Sequence, residues 1–107
     1  MRENANFSVD GNVLFVEGDL IIVNVTELMK KTKNVDFSQV AKIDLAGVSS
    51  TDSSGIAFLD ELYNKISLFN KDVLFINHST KIKKAMQTFS SLRIQVFESV
   101  RPQSFFE

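Results

Sequence analysis

The chain is 107 residues long, 44% hydrophobic and 23% charged, with no cysteine, one histidine and a formal charge of −1. That composition describes one globular domain folding around its own core; it excludes thiolate chemistry, cysteine-based or multi-histidine metal sites, and any overall electrostatic attraction to nucleic acid. No apolar run approaches the roughly 18 residues needed to span a bilayer and MRENANFSVDGN has no signal-peptide core, so a cytoplasmic protein without direct membrane insertion is expected.

Phe7 and Val9, then Val13 and Phe15, predict strands near 6–9 and 12–17. Asp10-Gly11 between them is the dipeptide that supplies the positive φ of a tight hairpin. Gly18-Asp19 reads as the end of this run. Asn24 with Glu27 three residues on has the form of a capping box, and Val25, Leu28, Met29 and Thr32 follow at helical spacing, which predicts a short helix near 25–33. In AKIDL, Ala41, Ile43 and Leu45 alternate with Lys42 and Asp44 as in a half-exposed strand.

Ile56, Leu59, Leu62, Tyr63, Ile66 and Phe69 then form one apolar stripe, the mark of a long amphipathic helix over 56–69. The run at 73–76 is short and continuously apolar, which predicts a central strand buried on both faces. Ser79 can cap a third helix carrying Ile82, Ala85, Met86 and Phe89, and residues 94–97 can add a last strand. Two β-α-β crossovers favour parallel pairing. The expected fold is therefore a single α/β domain over 1–107, a small mixed β-sheet with amphipathic helices mainly on one face, its core at about 5–97 and its tail at 98–107.

Between the third strand and the long helix lies AGVSSTDSSG, longer and more polar than a plain connector requires. Asp52 or Ser53 can accept a hydrogen bond from an orphan N–H of the first turn, worth about 1 kcal/mol, and Asp52 suits the positive end of the helix dipole. Gly55 costs roughly 1 kcal/mol relative to alanine inside a helix, so it implies either close approach of another backbone or room for a partner. An ordinary polar cap accounts for these residues. So does a site in which Ser53, exposed at the helix start, is a phosphate acceptor or the centre of a docking surface. A phosphoryl group there adds about −1.5 to −2 charge, favoured by the dipole and opposed by Asp52.

The remaining candidates divide in the same way. Ser53, Asp52 and His78 have the residue types of a hydrolytic triad, but no G-x-S-x-G elbow or Walker-type loop accompanies them, so catalysis is not expected. Lys81, Lys83 and Lys84 form either a solvated helix face or a surface for an acidic partner. Phe58, at the margin of the stripe, and Leu68, outside it, either extend a docking patch from Ser53 or, for Phe58, pack at the core edge. Phe105 and Phe106 are either anchors for a homodimer or part of a frayed tail.

KIDLAGVSSTDSSGIAFLDELYNKI, followed by DVLFINHSTKIKKAM, resembles the STAS domain, found in anti-sigma factor antagonists, sulfate transporter tails and small subunits of bacterial lipid-transport systems. The resemblance covers nearly the whole chain. Its most specific part is Asp52-Ser53-Ser54-Gly55 between strand and helix; Gly18, an acidic residue and Leu20 also match the end of the family's early strand. It implies a protein-interaction module without enzymatic activity or cofactor. Ser53 would be the central contact, Asp52 would orient the turn, Ser54 would add a polar contact, and Gly55 would permit close approach.

The resemblance carries two branches. In the MlaB-like branch, a solitary STAS subunit binds the cytoplasmic ATPase of a phospholipid-trafficking ABC transporter that maintains outer-membrane lipid asymmetry. In the antagonist branch, the serine matching Ser53 is phosphorylated by an anti-sigma factor kinase, and this ends binding to that partner. Ser50 and Thr51 stand where antagonists commonly have bulky apolar residues, and IDL-x-x-VS-x-x-D-x-x-G-x-A-x-L at 43–59 looks more like the transporter branch. The intact Asp52-Ser53-Ser54-Gly55 is typical of the antagonists. The transporter subunit is thus the expected reading and the antagonist its alternative.

Overall fold

Alternation of buried and exposed residues along the second strand, joined by Phe7 of the first, sets one face of a sheet against three helices. The computed structural model describes residues 4–89. In chain order these form β1 (Asn6–Asp10), β2 (Val13–Leu20), α1 (Ile22–Lys31), a 3₁₀ turn at Thr32–Asn34, β3 (Lys42–Thr51), α2 (Ser53–Ser67), β4 (Leu74–Ile76) and α3 (Thr80–Phe89). The sheet order is β1-β2-β3-β4, with β1 antiparallel to β2 and the other two pairings parallel. This is the mixed sheet of an α/β domain. No helix among the described residues is long and apolar enough to cross a membrane.

Leu14, Val16 and Leu20 of β2 and Ile43, Leu45 and Val48 of β3 turn inward, and the helices meet them with Val25, Leu28, Ile56, Leu59, Leu62, Ile66, Ile82 and Met86. Right-handed crossovers place successive helices on the same side of a parallel sheet. Here α2 lies between α1 and α3 and packs on both. Burial of this set supplies the main stabilisation, at roughly 25 cal/mol per Å² of apolar surface.

The chain departs from its local signals at several places. The hairpin turn consists of Gly11 and Asn12, since Asp10 already pairs with Val13; Gly11, at φ 64°, takes the first central position. β2 does not stop at Gly18-Asp19 but continues to Leu20 through two register shifts against β3, with Gly18 at φ 92°. α1 begins at Ile22 rather than near 25, and Asn24 is not its cap: its side-chain amide donates to the Asp19 carbonyl. β3 extends through most of the segment expected to be a loop, because pairing with β2 carries it to Thr51.

β4 is buried on one face only, with Phe75 inside and Leu74 and Ile76 half-buried. Instead of a central place, it takes the end of the described strand order. Phe69 lies past the end of α2 and is 61% exposed, so the stripe stops at Ile66, and Phe89 is likewise outside the core. Ser79 caps α3 as expected, its Oγ accepting the Ile82 amide at 3.0 Å. The strand expected at 94–97 and the tail with Phe105 and Phe106 lie outside the described residues.

Candidate functional site

Parallel pairing of Leu20 with Thr51 brings the ends of β2 and β3 to one edge of the sheet, so α1 and α2 start side by side. Asp52 occupies the join. Its extended backbone (φ −118°, ψ −172°) makes it the N-cap of α2, and its Oδ1 accepts from the amides of Ser54 at 2.9 Å and Gly55 at 3.1 Å. The Ser54 hydroxyl donates to the same oxygen. Oδ2 accepts from the Ile22 amide, thirty residues earlier, at 3.1 Å. One carboxylate therefore caps two helices.

The backbone beneath is tied as closely. The Asp52 amide donates to the Leu20 carbonyl at 3.1 Å, and Thr51 Oγ1 donates to the same carbonyl at 3.2 Å. The Ser50 hydroxyl donates to Asp19 Oδ1 at 2.9 Å. The polarity of the segment is thus largely spent on holding the corner together, which the composition of AGVSSTDSSG does not by itself reveal.

Ser53 is the exception. It is the first residue of α2, its side chain is exposed, and its hydroxyl makes no hydrogen bond among the described residues. Ser54, expected to offer a second polar contact outward, uses its hydroxyl in the Asp52 cap. Gly55 is buried. A Cβ there would meet the Leu20 carbonyl oxygen and Thr51 Oγ1, so the glycine serves close approach within its own chain and not a partner.

Phe58 does not extend the surface either. It is 0% exposed, with its ring centroid 6.2 Å from that of Phe7. Leu68 is highly exposed but follows the C-terminal end of α2. A 15-residue helix is about 22 Å long, so Leu68 stands a helix length away from Ser53. The apolar residues that do border the corner are Ile22 and Val23, 58% and 57% exposed on the first turn of α1. Sequence reasoning missed them, although Leu20–Val23 is a run of four apolar residues of which no periodic pattern could bury all.

The triad reading meets a specific obstacle, for both Asp52 oxygens already accept amide hydrogens and neither orients an imidazole. His78 is half-buried just before α3. Lys81 and Lys84 are exposed on α3, with Lys83 half-buried, and none of them enters the contacts of the corner.

The Ser54 hydroxyl, foremost, holds the Asp52 carboxyl below its usual range; burial, next in size, opposes it, and the amides of Gly55, Ile22 and Ser54 each lower it by less. A depressed carboxyl contributes stability fully above its unfolded value of about 3.9 and loses it as the pH falls through the folded value. Thermal unfolding between neutral pH and pH of about 2 is therefore expected to show a smaller acid-induced loss of Tm for Asp52→Asn than for the native chain. Equal losses would mean the carboxylate is not engaged as described.

A family model, STAS domain, matches residues 4–102. Among curated proteins, no match was found. Among solved structures, the anti-sigma factor antagonist SpoIIAA in its unphosphorylated form is similar at 19% identity, over 78% of each chain, with a TM-score of 0.59. The murine Solute Carrier 26 family member A9 anion transporter, in its inward-facing state, is similar at 17% identity over 81% of this chain and 18% of that one, with a TM-score of 0.49. At such identity the first likeness bears on the fold.

Proposed function

Because the chain belongs to the STAS domain family, we propose that it is a non-catalytic interaction module that recognises a protein partner through the corner where α1 and α2 begin, with Ser53 at the centre. One observation carries this reading: in a corner whose other polar groups are bonded inward, the Ser53 hydroxyl alone is exposed at the helix start with no partner among the described residues. The partner is the ATPase of a phospholipid-transport ABC system, which the protein supports from the cytoplasmic side. Support for that choice is the Ile43, Val48, Ser49, Asp52, Gly55, Ala57 and Leu59 pattern, with Ser50 and Thr51 in place of bulky apolar residues.

A second reading is favoured by the same hydroxyl. An anti-sigma factor antagonist needs a serine that a kinase can reach, and Ser53 is outward at the positive end of a helix dipole. Transfer of the γ-phosphoryl group of ATP to its Oγ, with loss of the hydroxyl proton and release of ADP, would add negative charge next to Asp52 and end binding to an acidic partner surface.

The test is direct. Ser53→Ala and Ser53→Asp are expected to fold as the native chain does, because the side chain is exposed and makes no hydrogen bond among the described residues. Binding to the purified ATPase, read by calorimetry, should weaken by about tenfold or more for Ser53→Asp. If both variants bind like the native chain, the corner is not the recognition site. Affinity purification from the source cell separates the branches: an ABC ATPase with its permease supports the first, and a histidine-kinase-like ATPase that phosphorylates Ser53 supports the second.

A further inference from the structure

We propose that Asp52 is a latch between two helices, so that an event at Ser53 is transmitted to the first turn of α1; the transmission rests on the corner being the recognition surface, whereas the latch itself does not. α1 has no cap of its own. Ile21, at its N-cap, has no side-chain oxygen, and the first turn contains no acidic residue. The side-chain acceptor for the Ile22 amide comes instead from Asp52. That bond holds in place a turn whose Ile22 and Val23 side chains are both more than half exposed.

Only a carboxylate can make this connection. Its two oxygens divide the work, Oδ1 serving α2 and Oδ2 serving α1. Asparagine offers one oxygen and would turn an NH₂ toward the second helix's donor, while serine and threonine have a single oxygen. The two sides of the latch are also unequal. α2 holds the carboxylate through two amides and the Ser54 hydroxyl, but α1 holds it through one amide. A negative charge placed on residue 53 repels the carboxylate. Any rotation of Asp52 in response gives up the single bond to α1 before the three to α2. The exposed apolar turn of α1 then loosens.

Amide hydrogen exchange by NMR on the isolated chain tests the latch without any partner. In Asp52→Asn, exchange of the Ile22 amide is expected to rise about tenfold, with Gly55 and the core amide of Leu59 unchanged. Ser53→Asp should raise Ile22 exchange in the same selective way, and Ser53→Ala should not. Unchanged Ile22 exchange in Asp52→Asn, or an equal rise at Gly55, overturns the divided cap. If Ser53→Asp leaves Ile22 as in the native chain, the transmission is overturned. Should Asp52→Asn raise exchange at Leu59 as well, the fold itself has loosened and the two Ser53 variants decide the matter. None of these results depends on partner affinity, so failure of the latch and failure of the recognition site are read separately.

Discussion

Phe58→Ala is expected to remove about 4 kcal/mol of folding stability, a large part of the 5–15 kcal/mol typical of a domain. The side chain is fully buried, and its ring joins that of Phe7, whose centroid is in turn 6.4 Å from that of Phe37. Lys31 closes this group from outside, its Nζ 4.7 Å from the Phe7 ring centroid and 2.8 Å from the Phe7 carbonyl oxygen. Alanine at 58 would leave a cavity in the core beside the Phe7 ring. Urea unfolding followed by circular dichroism measures the effect. A loss below about 1 kcal/mol would return Phe58 to the surface, where the docking reading placed it.

Gly55→Ala is expected to destabilise by about 3 kcal/mol, reversing the sign that helix propensity assigns to it. In an isolated helix alanine gains roughly 1 kcal/mol over glycine. Here the added methyl would sit 2.7 Å from Leu20 Cβ and against the Leu20 carbonyl oxygen and Thr51 Oγ1. That carbonyl already accepts from the Asp52 amide and from Thr51 Oγ1, so moving it breaks the bonds that join the end of β2 to the start of α2. Ser53→Ala, two positions earlier and exposed, is the matched control, with an expected change within about 0.5 kcal/mol. Higher stability for Gly55→Ala would show that the two elements are not in close contact.

α2 shows how far a local pattern reaches. Ile56, Leu59, Leu62 and Ile66 were legible as its inner stripe because they recur at the helical period, and the caps Asp52 and Ser79 were legible because a cap and the amides that donate to it lie within one turn. Phe58 was not. A helix flanked on both sides buries a wider arc than a single stripe, and nothing within α2 states that α1 and α3 will lie on either side. Phe69 erred the other way, since the chain turns after Ser67 and takes it out of phase.

The corner where α1 and α2 begin divides similarly. The motif Asp52-Ser53-Ser54-Gly55 marked its position, and the polar cap gave the role of Asp52 toward α2. Its role toward α1 was hidden behind a false local signal, the Asn24 and Glu27 pair, while the true acceptor came from thirty residues along the chain. Which serine faces outward was equally a matter of bonding: Ser54 is drawn into the cap, and Ser50 is drawn to Asp19.

By itself, then, the amino-acid sequence determined the α/β class, the long central helix, its cap and the family, because each depends on residues within a few positions or on a contiguous motif. Tertiary structure alone decided that β3 runs to Thr51, that Gly55 and Phe58 face inward, and that one carboxylate joins two helices. The burial of Phe58 depends on the helices that flank α2 and on Phe7, and the others depend on the parallel pairing of β2 with β3, which sets residues some thirty positions apart within hydrogen-bond reach. No periodicity along the chain encodes such a distance.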